Sequence, residues 1–206
     1  MKGLLLKDFY LMTKYCRAYL IIIATFAVVA AFDEGNTFFL LYVCIIASMI
    51  PVTLFSYDER DHWSLCAGAL PYTKSQLVSV KYVVGIITGL IVVVITLLSQ
   101  SFQLMQTGTF RLDTILPLLL FVAVLSLIAP AILMPFVFRY GAEKGRIFYY
   151  FAIGILVAFC TFMAKSYPSS FQLSAMESLL PLCLGSIAFY IISWLLSIAF
   201  YKRRES

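Results

Sequence analysis

Asp58, Glu59, Asp61 and His62 crowd one short stretch of an otherwise apolar chain, and acids beside an imidazole are the raw material of a metal centre or of proton transfer. The chemistry stops there. His62 is the only histidine, so neither a histidine-rich metal site nor the His/Glu set of an intramembrane protease can be assembled within the chain. The five cysteines, Cys16, Cys44, Cys66, Cys160 and Cys183, lie at no metal-ligand spacing and outline no disulfide framework; they read as small apolar packing residues. Gly141-Ala-Glu-Lys-Gly145-Arg lacks the spacing and lysine placement that cradle phosphates, and no other phosphate-binding loop is present, so the chain cannot hydrolyse ATP alone. No nucleophile and base pair suggests an enzyme. What remains is a surface: the polar island 57–82, the one sizeable stretch suited to meeting soluble partners.

The elements that must position this island are membrane helices. Hydrophobic residues make up 63% of the sequence and charged ones 12%, outside the usual range of soluble domains. A hydrocarbon core of about 30 Å needs roughly 20 apolar residues of helix. Six segments of that kind can be drawn, at about 15–32, 37–56, 83–105, 114–138, 147–164 and 179–201. They leave no room for a separate soluble domain, so 1–206 reads as one all-α polytopic membrane domain, lipid requiring every backbone group to be bonded within its own segment.

Basic residues orient it. Of the 15 lysines and arginines, only Arg111 and Lys165 fall outside if the N-terminus is cytoplasmic, so both termini are expected in the cytoplasm. The net charge of +5 is then an orientation signal and not a mark of nucleic-acid binding. A cleaved signal peptide is the competing account of the first span, with 27–31 as its cleavage region, but the five later spans need a membrane in any case.

The middles of the spans carry no Asp, Glu, Lys or Arg, which argues against proton or sodium coupling. Thr25, Ser48, Thr53, Thr88, Thr96, Gln100, Ser126 and Ser193 are of the kind that bond back to their own helix or across to a neighbour. Gly85 and Gly89 permit close helix approach, and Pro51, Pro130 and Pro135 can kink the helices that hold them.

Two segments outside the spans have patterns of their own. In 1–14, Leu5, Phe9 and Met12 share one side and Lys7 and Lys14 the other, as in an interfacial helix lying along the membrane before the chain turns inward near Tyr15; a ragged extension of the first span is the alternative. In the island, Asp58, Glu59 and Asp61 suit a helix N-terminus, Trp63, Ala67 and Leu70 share a face, and Pro71 stops that helix. Thr73-Lys74-Ser75-Gln76 has capping-box spacing, which predicts a second helix running through Lys81 into the third span. A return loop needs only a few residues, so the length of this one points to a docking element rather than a solvated turn.

The whole chain resembles the six-helix permease subunits of ABC-2 type exporters, in the compact bacterial form. The resemblance rests on the Met-Lys-Gly-Leu-Leu-Leu-Lys-Asp-Phe-Tyr opening, the six spans, and Tyr57-Asp58-Glu59, Trp63, Leu70-Pro71, Val78 and Lys81-Tyr82. It implies that the helix between spans two and three is a coupling helix seated in a groove of a separate ATPase, with Asp58, Glu59, Asp61, Trp63 and Leu70 making or supporting the contact. It further implies a lesser contact through the second cytoplasmic loop, with Arg139, Glu143 and Lys144. Cys66 and Gly68 stand where bulkier or polar helix formers are expected, which leaves the length of the coupling helix open. The implied assembly has two ATPase subunits, which bind the ATP and Mg, and a second permease, identical or paralogous, in a bacterial plasma membrane. An uncharged wall rich in Phe, Leu and Val suits lipophilic or amphipathic cargo, and such relatives often export antimicrobial or other amphipathic peptides. The loops 33–36, 106–113 and 165–178 are too short for an outside receptor domain. A membrane immunity or anchor protein, binding a toxin or partner without transport, is the alternative function.

Overall fold

The computed structural model describes residues 2–32, 38–63, 73–107, 112–145, 147–148, 150–151 and 179–204. Among them there is no strand. The six long helices among the described residues are α1 (Lys2–Tyr15), α2 (Arg17–Phe32), α3 (Phe38–Arg60), α4 (Lys74–Thr107), α5 (Leu112–Tyr140) and α6 (Leu179–Arg204). All-helical structure is what an apolar chain must adopt in lipid, where an unbonded backbone group costs several kcal/mol.

The chain turns by 70° between α1 and α2. The turn is at Cys16, one residue past the expected position, and the ladder runs through it, Cys16 N donating to Met12 O at 3.0 Å and Leu20 N to Cys16 O at 3.1 Å. Leu4, Asp8 and Met12 face the protein, and Leu5, Phe9 and Met12 line one apolar groove, the shared side that the helical wheel predicts. Asp8, an acid on a largely apolar helix, finds its partner inside the bundle, and Lys7 turns to Asp58 at 2.6 Å.

By length and apolarity, Lys74–Phe102, Leu118–Tyr140 and Pro181–Arg203 can each cross a membrane, and the bent pair α1–α2 makes a fourth candidate if taken as one span. Three to four spans among the described residues compare with six expected. At 16 residues, α2 is about 24 Å long, short of a full hydrocarbon core. The expected fifth span, 147–164, lies mostly outside the described residues.

The most extensive helix interface joins α5 to α6, and α3, α4 and α5 pack mutually around the core. One cluster centres on Phe55, Val78, Tyr82, Met134 and Phe138, the other on Cys16, Val43, Ile50, Val84 and Val122. The glycine pair on α4 allows this closeness: a Cβ on Gly85 would lie 3.0 Å from the Tyr190 hydroxyl of α6, and one on Gly89 3.2 Å from Ser126 Oγ of α5. Span hydroxyls are satisfied locally, Thr53 on Met49 O at 2.9 Å, Thr96 on Val92 O at 2.8 Å and Ser126 on Ala123 O at 2.8 Å.

Candidate functional site

The island 57–82 divides into the end of α3, a stretch 64–72 outside the described residues, and the start of α4. Asp58 and Glu59 were expected to open a helix; instead they complete the last turn of α3. The helix continues because Asp61 N still bonds Tyr57 O at 2.9 Å, and it stops where His62 takes a left-handed φ of 51°. No glycine or proline marks that stop. At the other side, α4 begins as its capping box predicts: Thr73 N donates to Gln76 Oε1 at 3.2 Å, and Gln76 N to Thr73 Oγ1 at 3.4 Å.

Both flanks of 64–72 are tied to α1 by alternating charges. Lys81 Nζ lies 2.9 and 2.8 Å from the two oxygens of Asp8. It also lies 2.6 Å from Asp58 Oδ2. Lys7 Nζ lies 2.6 Å from Asp58 Oδ1 and 3.7 Å from Asp8 Oδ1. Burial deepens from Lys7 (23% side-chain exposure) through Asp58 (14%) to Lys81 (5%) and Asp8 (2%). Two lysines and two aspartates balance, which is what allows the inner pair to be charged where lone ions would be prohibitively costly. Trp63 sits over Lys7, its ring centroid 4.0 Å from the ammonium, and its buried Nε1 has no hydrogen-bond partner among the described residues. A pocket of about 200 Å³ lies against this group, walled on its apolar side by Phe55, Leu77 and Phe138.

Glu59 ties α3 to a different place. Its Oε2 accepts a 2.8 Å hydrogen bond from Ala142 N. Gly141, at a φ of 89°, ends α5 there, and a helical turn 142–145 starts, so Glu59 supplies an anionic cap to a helix start in another part of the chain. The remaining sequence-predicted residues are not drawn into one cluster. Asp61 is exposed, as are Arg139, Glu143 and Lys144; the Arg139 guanidinium lies 5.1 Å from the Tyr140 ring and 5.0 Å from the Phe200 ring. Leu70 lies outside the described residues.

One turn of α4 extends the junction to the rest of the bundle. Ser193 has a single hydroxyl proton, which it gives to Ala131 O at 2.6 Å. Tyr82 must therefore donate to Ser193 Oγ at 2.8 Å and accept from Ser197 at 2.6 Å. Tyr190 donates to Tyr82 O at 2.8 Å, and Trp194 Nε1 to Ser79 Oγ at 3.1 Å. Ser79, Lys81 and Tyr82 thus connect the first turns of α4 to α1, α3 and α6, and through Ser193 to α5. Sequence reasoning missed Asp8 and the pairing of Lys81. The available signal was a lone acid in α1 and a lone base at the apolar start of the third span.

No three metal-ligating side chains come together among the described residues. The arrangement holds α1, α3 and α4 in register. An apolar helical bundle with three to four helices able to cross a membrane among the described residues is that of an integral membrane protein. The chain belongs to the ABC-2 transporter family: the family model described as ABC-2 family transporter protein matches residues 3–202. It is accordingly an ATP-binding-cassette transporter permease, of a kind generally not itself catalytic, whose family implies association with an ABC ATPase. No match was found among curated proteins or among solved structures.

Proposed function

We propose that this chain is the permease of an exporter whose ATPase docks on the segment between α3 and α4 and drives the helices through the Lys7–Asp8–Asp58–Lys81 junction. One observation carries the reading: both flanks of the docking segment are ionically tied to α1, so a displacement of the segment moves α1, α3 and α4 together. Asp61, Trp63 and Leu70 make the contact in this reading, and Asp58 and Glu59 support it from within. Glu143 and Lys144 give the lesser contact, next to the turn that Glu59 caps. In this reading the excess of basic residues supports a cytoplasmic location for this end, in a bacterial plasma membrane that the chain crosses several times. ATP and Mg belong to the partner, present in two copies, and a second permease completes the path. The cargo is lipophilic or amphipathic, an antimicrobial or similar peptide being the class that an uncharged Phe- and Leu-rich wall suits.

The test is co-purification of the chain with its ATPase, followed by substrate-stimulated ATP hydrolysis in proteoliposomes. Asp61→Lys combined with Trp63→Ala should abolish stimulation while the permease remains folded. Normal assembly and turnover in that variant would remove the docking assignment. If cells stay fully protected against a toxic peptide when the ATPase carries a dead nucleotide site, the chain is an immunity or anchor protein instead.

A further inference from the structure

On the flank of the bundle away from α1, an apolar groove of about 320 Å³ runs between α5 and α6. Pro135 and Phe136 form one wall, and Phe189, Ile192, Leu196 and Phe200 the other. Several of these side chains are open to the surroundings, Ile192 at 55% exposure and Phe189 at 44%. The lining belongs to the candidate spans Leu118–Tyr140 and Pro181–Arg203, and at that depth an occupant must present hydrocarbon.

Its basic end makes the groove selective. Arg139 follows Pro135 and Phe136 on the same stripe of α5 and lines the groove at the helix terminus, its guanidinium held beside Tyr140 and Phe200. No ion pair engages Arg139 among the described residues. On α6, Arg203 falls three positions beyond Phe200 and continues the same face. Both arginines stand at the ends of candidate spans, Leu118–Tyr140 and Pro181–Arg203, the level of lipid headgroups. A planar guanidinium at the mouth of a hydrocarbon groove is suited to a phosphodiester, which it can bond in a bidentate manner.

We infer that the α5–α6 groove is a binding site for one anionic phospholipid, with an acyl chain along Phe189, Ile192 and Leu196 and its phosphate on Arg139. Arg139 is thereby assigned to the lipid rather than to the ATPase. A zwitterionic lipid would fill the groove equally well but gain less at its basic end, so the site discriminates by headgroup charge.

The full-length protein, reconstituted in nanodiscs of phosphatidylcholine with one part in five phosphatidylglycerol, is re-extracted and its retained lipids counted by native mass spectrometry. Phosphatidylglycerol should be retained in preference to phosphatidylcholine, and Arg139→Gln should reduce that preference roughly fivefold, the effect of one basic residue at an anionic surface. Ile192→Trp, which fills the groove without altering charge, should lower retention of both lipids. Lys202→Gln, on the opposite side of α6 by helical repeat, should change neither. Retention of the two lipids by the wild type in their bulk proportion, or an unchanged preference in Arg139→Gln, overturns the inference. Displacement of phosphatidylglycerol by excess inorganic phosphate overturns the role of the groove. High-yield disulfide formation between two Ile192→Cys chains overturns it in favour of a second copy of the protein.

Discussion

Removing the Lys81 ammonium alone should be far more damaging than removing it together with Asp8. In Lys81→Met, the Asp8 carboxylate, 2% exposed, loses two hydrogen bonds of 2.8–2.9 Å and keeps only Lys7 at 3.7 Å. Lys7 is already committed to Asp58 at 2.6 Å, so the group moves from zero net charge to minus one within a largely buried site. Breaking one side of a buried pair costs about 3–5 kcal/mol. Asp8→Leu with Lys81→Met deletes a neutral pair and leaves Lys7–Asp58 intact, so its cost should fall to about 1 kcal/mol or less, as when apolar groups replace a buried pair. The cycle built from the two single variants and the double variant should return a coupling of at least about 2 kcal/mol. Unfolding in mixed anionic and non-ionic micelles, followed by tryptophan fluorescence, measures it. Trp63 reports the junction through its contact with Lys7, and Trp194 reports the α4–α6 interface. Additivity within about 0.5 kcal/mol would show that Asp8 and Lys81 do not interact and would refute the junction.

Three further outcomes follow from single contacts. Glu59→Ala removes the cap on Ala142 N and should cost about 1 kcal/mol, whereas Glu59→Gln, which keeps an acceptor, should cost less; hydrogen exchange at 141–145 reads the difference. Tyr82→Phe strands the Ser197 proton and removes the donor to Ser193 Oγ, for a loss of about 0.6–1.7 kcal/mol in a membrane setting, seen as an earlier unfolding midpoint on Trp194. Thr73→Ala breaks the reciprocal cap of α4 and should cost about 1 kcal/mol, with faster proteolysis just before Lys74 and Thr73→Ser close to wild type.

Local chemistry was readable in the sequence wherever it involved neighbours. Thr73 and Gln76 announce the start of α4 because both halves of the box lie within one turn, and the hydroxyls of Thr53, Thr96 and Ser126 return to carbonyls three or four residues back. Gly85 and Gly89 announce a close approach but not its partners, Tyr190 and Ser126, which come from two other helices. The junction was illegible for the same reason. Asp8 and Lys81 are 73 positions apart, and a helical wheel of 1–14 weighs the lysines against headgroups without knowing that a base waits inside the bundle. The end of α3 escaped because its stop is a histidine in a left-handed conformation, which non-glycine residues adopt seldom and histidine only somewhat more readily than most. Asp58 and Glu59 therefore stand at the C-terminal end of α3 and not at a helix start, while Asp61 lies in the turn beyond it.

That placement bears on how the junction works. Asp58 and Glu59 sit at a helix C-terminus, where the dipole disfavours anions, so their position is maintained by what they bond: Lys7 and Lys81 in one case, Ala142 N in the other. A balanced buried group of this kind adds little net stability over apolar side chains; what it supplies is register. Sliding α4 past α1 by one turn, about 5.4 Å, would part Lys81 from both aspartates and leave charges unpaired away from water, whereas Val or Leu in their places would tolerate the slip. The three helices that flank 64–72 consequently resist shear, which is what the proposed docking of an ATPase there requires. Tyr82 follows Lys81 directly and is bonded to α6, and through Ser193 to α5, so a shift of the start of α4 would have to break or carry with it contacts on every one of these helices.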